Sequence, residues 1–107
     1  MAVTFNEVGS CWVIAIEGRF DKRNNAPEVL ARIADIPTDI TEVVFDFAAV
    51  THLMNDGIKA ITLADGAMDS REGGKFSIIN VSPGIMRVLR MNGLDAYAEG
   101  ASLADLS

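Results

Sequence analysis

Few side chains in this chain could do chemistry, and several of them fall in one stretch, VTHLMNDGIKAI, from Val50 to Ile61. It holds the sole histidine, His52, then an amide, a carboxylate and a glycine at Asn55, Asp56 and Gly57. One histidine and one cysteine, Cys11, supply neither a histidine metal site nor a cysteine cluster, and a disulfide within the chain is excluded. Cys11 lies in the apolar run CWVIAIE and reads as a small core residue, and His52, just past an apolar run, as a hydrogen-bonded structural one. EGGK at Glu72–Lys75 lacks the length and the trailing hydroxyl of a phosphate-binding loop and reads as a turn. Asp21 and Asp56 could act as a carboxylate pair only if the fold joined them, which spacing alone does not say. The inventory supports no enzyme, no metal and no cofactor.

The turn at Asn55–Gly57 also has a plain structural reading. Asn and Asp are favoured helix N-caps, and a carboxylate in the first turn complements the positive end of the helix dipole. Whether the turn is only a cap or also a working surface depends on what surrounds it.

The elements that must position these residues follow from period and punctuation. VTFNEVG and CWVIAIEG read as two strands joined at Gly9 and Ser10. In the second, Trp12, Ile14 and Ile16 alternate with Cys11, Val13 and Ala15, so both faces are apolar and a central position is expected. A helix follows, capped by Asn25, with Pro27 in its first turn and Ala26, Leu30 and Ile33 on one face. EVVFDF, from Glu42 to Phe47, is apolar at nearly every position, as a parallel strand buried on both faces would be. After the Asn55–Gly57 turn, Met54, Ile58, Ile61 and Met68 give a helical stripe, and KFSIINV supplies another strand. Ser82, Pro83 and Gly93 mark the start and stop of a third helix, with Leu94 placed to fold back on Leu89. AYAEGASLADLS is expected to add a strand edge and a terminal helix.

The expected fold class is therefore α/β, a single domain over residues 1–107. Its elements run ββαβαβα, in an open mixed sheet with alternating, right-handed crossover helices. A net charge of −6 argues against nucleic acid, and the basic residues read as scattered. No apolar run is long enough to span a bilayer, and the N-terminus lacks the layout of a secretory signal, so a cytoplasmic protein without direct membrane insertion is expected.

Three strings then carry a resemblance: VIAIEGRFDKRNNAPEVL, EVVFDFAAVTHLMNDGIKAI and GGKFSIINVSPGIMRVLRMNGLDAY. Together they resemble a STAS domain, the module of anti-sigma factor antagonists and of sulfate-transporter tails, over roughly residues 3–100. The EGRFD turn and the NVSPGIMRVLRMNGL block are the most specific parts. The resemblance implies a non-catalytic partner-switching module in bacterial transcription regulation. Its partner would be an anti-sigma factor that is also a serine kinase of the histidine-kinase-like ATPase type. In such modules a serine at the entry to the second helix is phosphorylated, and the added charge, about −1.5 to −2, breaks the complex.

Here this chain departs from the pattern. Aligning Gly57 with the family glycine puts Met54 at the usual aspartate, Asn55 at the phosphoacceptor serine and Asp56 at the next serine. Asn55 has no hydroxyl to modify, and Thr51 is the nearby hydroxyl that could substitute. The resemblance assigns the partner-binding surface to Asp21, Asn24, Asn55, Asp56, Gly57, Lys59 and Thr62. Asn55, Lys59 and Thr62 fall at helical spacing on one face. Two other readings stay open: a STAS subunit bound to a transporter ATPase or another signalling assembly, and a module that binds a small ligand or nucleotide at the same turn.

Overall fold

The computed structural model describes residues 3–99. Strands β1 (Val3–Val8) and β2 (Cys11–Phe20) form the expected hairpin. Helix α1 (Ala26–Ala34), strand β3 (Glu42–Leu53), helix α2 (Asn55–Asp69), strand β4 (Lys75–Ile79) and helices α3 (Pro83–Met91) and α4 (Asp95–Glu99) follow. The sheet order is β1-β2-β3-β4, with β1 antiparallel to β2 and the other neighbours parallel. The open mixed α/β sheet with crossover helices is therefore as expected.

Both central strands bury one face rather than two. Along β2, Trp12, Ile14 and Ile16 are buried, whereas Cys11, Val13 and Ala15 are half-buried. On β3, Val43, Phe45 and Phe47 are buried while Val44 and Asp46 between them are not. The reason is topological. β2, β3 and β4 succeed one another in one direction, so right-handed crossovers put α1 and α2 on the same side. The core there is built around aromatic rings: Phe20 lies 6.1 Å from Phe45 and 5.9 Å from Phe47, and Phe76 lies 5.1 Å from Phe45.

Strand β3 is longer than its apolar run. It continues through Ala48, Ala49, Thr51 and His52 to Leu53, and its pairing with β2 shifts register twice along the way. Those irregularities break the alternation that would reveal the strand in sequence. Thr51 and His52 are thus strand residues, both exposed, with His52 Nδ1 3.1 Å from Thr51 Oγ1.

Helix ends also depart from expectation. Asn25 does precede α1, but its side chain caps nothing: Nδ2 donates to the Glu17 carbonyl at 3.0 Å. On α1 the buried face is Ala26, Val29 and Ile33, with Leu30 half-buried at its margin. The N-cap of α2 is Met54, not Asn55 or Asp56, and no side chain caps that end. Met54 is also outside the buried stripe, at 45 % exposure. Helix α3 matches in full. Ser82 Oγ accepts from Ile85 N at 3.3 Å, Gly93 has φ +71°, and Leu94 N donates to the Leu89 carbonyl at 2.8 Å, a Schellman ending. Asp95–Glu99 is helical, not a sheet edge, and the rest of the expected terminal segment lies outside the described residues. Among the described residues, no helix is long and apolar enough to cross a membrane.

Candidate functional site

Phe20 and Leu53 are register partners at the adjacent carboxyl ends of β2 and β3. The loop leaving β2 and the start of α2 therefore lie side by side, just beyond the carboxyl ends of the two strands. A single backbone bond joins the two: Met54 N donates to the Phe20 carbonyl at 3.2 Å.

Asp21 organises the loop. Its Oδ1 accepts from Asn24 Nδ2 at 2.6 Å and from Arg23 N at 3.1 Å, and its Oδ2 accepts from Arg19 Nε at 3.0 Å. The Asn24 hydrogen bond, then that from Arg19, holds the Asp21 carboxyl below the usual carboxylate range. Between this loop and the first turn of α2 lies an open cleft of about 680 Å³, lined by Asp21, Asn24, Asn55 and Asp56 together with Met54 and three cations, Arg19, Lys22 and Arg23. The fold has brought the Asp21 and Asp56 carboxylates to one place. Asp21 is committed to the loop, however, and its ion pair engages Arg19, whereas Lys22 and Arg23 line the cleft without an ion pair among the described residues.

The remaining residues assigned by resemblance go elsewhere. Lys59 and Thr62 are exposed like Asn55, as the helical spacing requires. They line a separate groove of about 520 Å³ between α1 and α2, floored by Ile33, Leu63 and Ala67. Thr51 borders a third concavity beside α3, near Ser82 and Ile85. Gly57 is buried under the turn. A Cβ there would sit 2.6 Å from the Phe20 carbonyl oxygen and 2.9 Å from both Leu53 Cδ1 and Phe20 Cγ. The glycine lets α2 seat against the end of β2, and its part in any interface is to hold Asn55 and Asp56 in place.

Sequence reasoning missed Arg19, Lys22 and Arg23. The signal was present in RFDKR, a local cluster in a chain whose basic residues otherwise look dispersed. Cys11 is half-buried, and burial followed by the nearby Glu42 raises its thiol pKa, so it is held as the neutral thiol.

No protein-family model matches the sequence, and no curated protein matches it. Solved structures do. The unphosphorylated anti-sigma factor antagonist SpoIIAA superposes with a TM-score of 0.73 at 16 % identity, over 91 % of this chain and 85 % of that one. An anti-sigma-factor antagonist (STAS) domain protein from Planctomyces limnophilus gives 0.73 at 17 % identity, over 94 % and 86 %. The fold is that of STAS domains. A sulfate transporter family protein from Wolinella succinogenes shares it too, with a TM-score of 0.72 at 17 % identity, over 87 % of this chain and 75 % of that one. The STAS fold thus occurs both in antagonists and in a transporter family protein, and a function has to be argued from the residues rather than from the fold.

Proposed function

We propose that this STAS domain is a non-catalytic regulatory module that binds an anti-sigma factor serine kinase of the histidine-kinase-like ATPase type. On this reading it is not switched by phosphate at the entry to α2. The observation that carries the proposal is Asn55. It is exposed at the first position of α2, on the rim of a cleft it shares with Asp21, Asn24 and Asp56. An amide there can hydrogen-bond to a partner but cannot accept a phosphoryl group. Asp56 supplies a fixed single negative charge, and Lys22 and Arg23 give the opposite side of the cleft a cationic edge. Thr51 is the substitute acceptor to be checked, since its hydroxyl is exposed close to the turn.

The test is affinity capture of the tagged protein from its native host, with bound proteins identified and the bait weighed intact. Recovery of a kinase of this type on an unmodified bait, lost with Lys59→Glu, is the expected result. A bait carrying phosphate, at Thr51 or elsewhere, overturns the unswitched reading, and the absence of any such kinase overturns the antagonist reading.

The likeness to the Wolinella succinogenes transporter family protein favours a second reading, a STAS subunit held by a transporter ATPase. The same capture separates the two, because that reading requires a membrane-associated ATPase among the recovered proteins.

A further inference from the structure

Helix α2 exposes a second working surface besides its N-terminus. Lys59, Thr62, Leu63, Gly66, Ala67 and Ser70 recur at steps of three and four, so they form one stripe about 16 Å long on the α1 side. Across from them, Ile33, Ala34 and Ile36 supply an apolar wall. Leu63 lies 40 % exposed in this groove.

Two features of the groove are unusual for this protein. The first is charge. Its charged lining residues are Lys59 and Arg71, with no carboxylate among them, in a chain whose net charge is −6. Arg71 closes one end, donating to the carbonyls of Ile36, Pro37 and Ile40, and Lys59 stands exposed towards the other. The second is Gly66. It lies in the last turn of α2, four residues before the Ser70 C-cap, and a glycine within a helix destabilises it relative to alanine. Nothing in the fold requires it, because a Cβ at Gly66 would meet no atom within 4 Å. Gly57, on the same helix, is needed by its neighbours; Gly66 is not. With Ala67 and Thr62 beside it, Gly66 leaves the helix backbone bare where another backbone could approach closely.

We propose that the α1–α2 groove docks an amphipathic helix of a partner protein. Its apolar face lies on Ile33, Leu63 and Ala67, its backbone crosses at Gly66, and an acidic side chain at one end pairs with Lys59. The apolar floor selects a helix with residues at i, i+3, i+4 and i+7, and the cationic lining selects acidic flanks. This rests on the reading of the domain as a protein-binding module, but not on the identity of the kinase.

The probe is a synthetic amphipathic helix of about four turns with a leucine stripe and glutamate flanks, titrated into the isotopically labelled domain. A second peptide keeps the leucines and carries lysine flanks. Saturable shift changes confined to Ile33, Leu63, Gly66 and Ala67 are expected. Binding of the lysine peptide should be weaker by about threefold to fivefold, with the preference shrinking as salt rises. Gly66→Ala should raise the melting temperature yet weaken glutamate-peptide binding severalfold, a combination a merely structural glycine does not produce.

Equal binding of the two peptides, shifts centred on another surface, or a Gly66→Ala variant that is more stable and binds unchanged each overturns the proposal. So does concentration-dependent broadening at these residues without peptide, which would assign the groove to a second copy of this chain. Kinase capture can succeed while peptide binding fails, and the reverse, so the two readings fall separately.

Discussion

Replacing Gly57 by alanine should destabilise the domain, although alanine is the better helix former. Two opposing effects set the size. Helix propensity favours alanine by about 0.8–1 kcal/mol. Against it, the new methyl would stand 2.6 Å from the Phe20 carbonyl oxygen and 2.9 Å from two carbons, Leu53 Cδ1 and Phe20 Cγ. Comfortable contacts between carbons lie at about 3.5–4.0 Å, so the first turn of α2 must retreat by more than half an ångström. Leu53 and Phe20 are themselves 5 % and 0 % exposed and have little room to yield. Retreat also stretches the hydrogen bond from Met54 N to the same carbonyl, already 3.2 Å long.

Overpacking of this kind costs about 1–3 kcal/mol, and weakening a backbone bond adds a fraction of about 1 kcal/mol. Net of propensity, the loss is about 1–2 kcal/mol, a fall in melting temperature of roughly 4–16 °C for a domain of this size. Thermal unfolding followed by far-UV circular dichroism reads it directly. A Gly57→Ala variant that melts at or above the parent temperature would refute the reasoning, because the helix would then not be seated against β2 as described. Bulk at Gly57 is therefore a poor probe of binding, since it disturbs the turn that holds Asn55 and Asp56. Lys59, which is exposed, is the cleaner position for that purpose.

Other expectations follow from single contacts. Arg71→Met removes the donor to three backbone carbonyls after α1 and should cost about 2 kcal/mol, seen as a lower denaturant midpoint at unchanged slope. Ser82→Ala deletes the side-chain cap of α3 and should cost about 1 kcal/mol in the same assay, whereas Ser82→Asp should recover most of it. Tyr97 has its pKa raised to about 12, chiefly by its interaction with the Asp65 carboxylate, then by burial. Because the folded value lies above the unfolded one, the associated stability is complete below the ordinary tyrosine range and is lost as pH rises towards 12. Melting temperatures of the parent and Tyr97→Phe should therefore differ at neutral pH and draw together above about pH 10. A constant gap would show that the phenol proton is not held by Asp65.

What the sequence made legible was whatever local chemistry specifies. The hairpin turn at Gly9 and the Ser82, Pro83 and Gly93 boundaries of α3 depend on residues within a few positions of one another, and they appear in the structure where expected. The far half of β3 was hidden because its shifts in register bury Val50 out of step with Val43, Phe45 and Phe47, and the next buried residue, Leu53, comes only after exposed Thr51 and His52. The start of α2 was misplaced by one or two residues for a related reason. Asn55 and Asp56 have capping side chains and Met54 does not, yet contact between the Gly57 backbone and Phe20 decides where the helix begins. The cleft could not be read from spacing at all, because Asp21 and Asn55 meet through the pairing of β2 with β3. Family resemblance brought those two together in the reading, but it assigned no role to Arg19, Lys22 or Arg23.

The placement of the two surfaces along α2 bears on how the proposed module would be controlled. The polar cleft lies at the first turn and the apolar groove runs from the second turn to the last, with Lys59 between them. A phosphate at the first turn would act on the cleft by adding negative charge beside Asp56, and it would reach Lys59 one turn away on the same face. Under the proposed reading, asparagine at that position leaves neither surface a charge switch in the turn itself. On that reading, occupancy of the cleft then follows the concentrations of the module and its competitors through mass action. A helix in the groove would lie near enough to Lys59 to influence a partner at the cleft. Coupling between the sites would therefore show as a change in kinase affinity on adding the glutamate-flanked peptide, equal to the change in peptide affinity on adding kinase. Affinities that are independent in both directions would mean that α2 carries two surfaces that do not communicate.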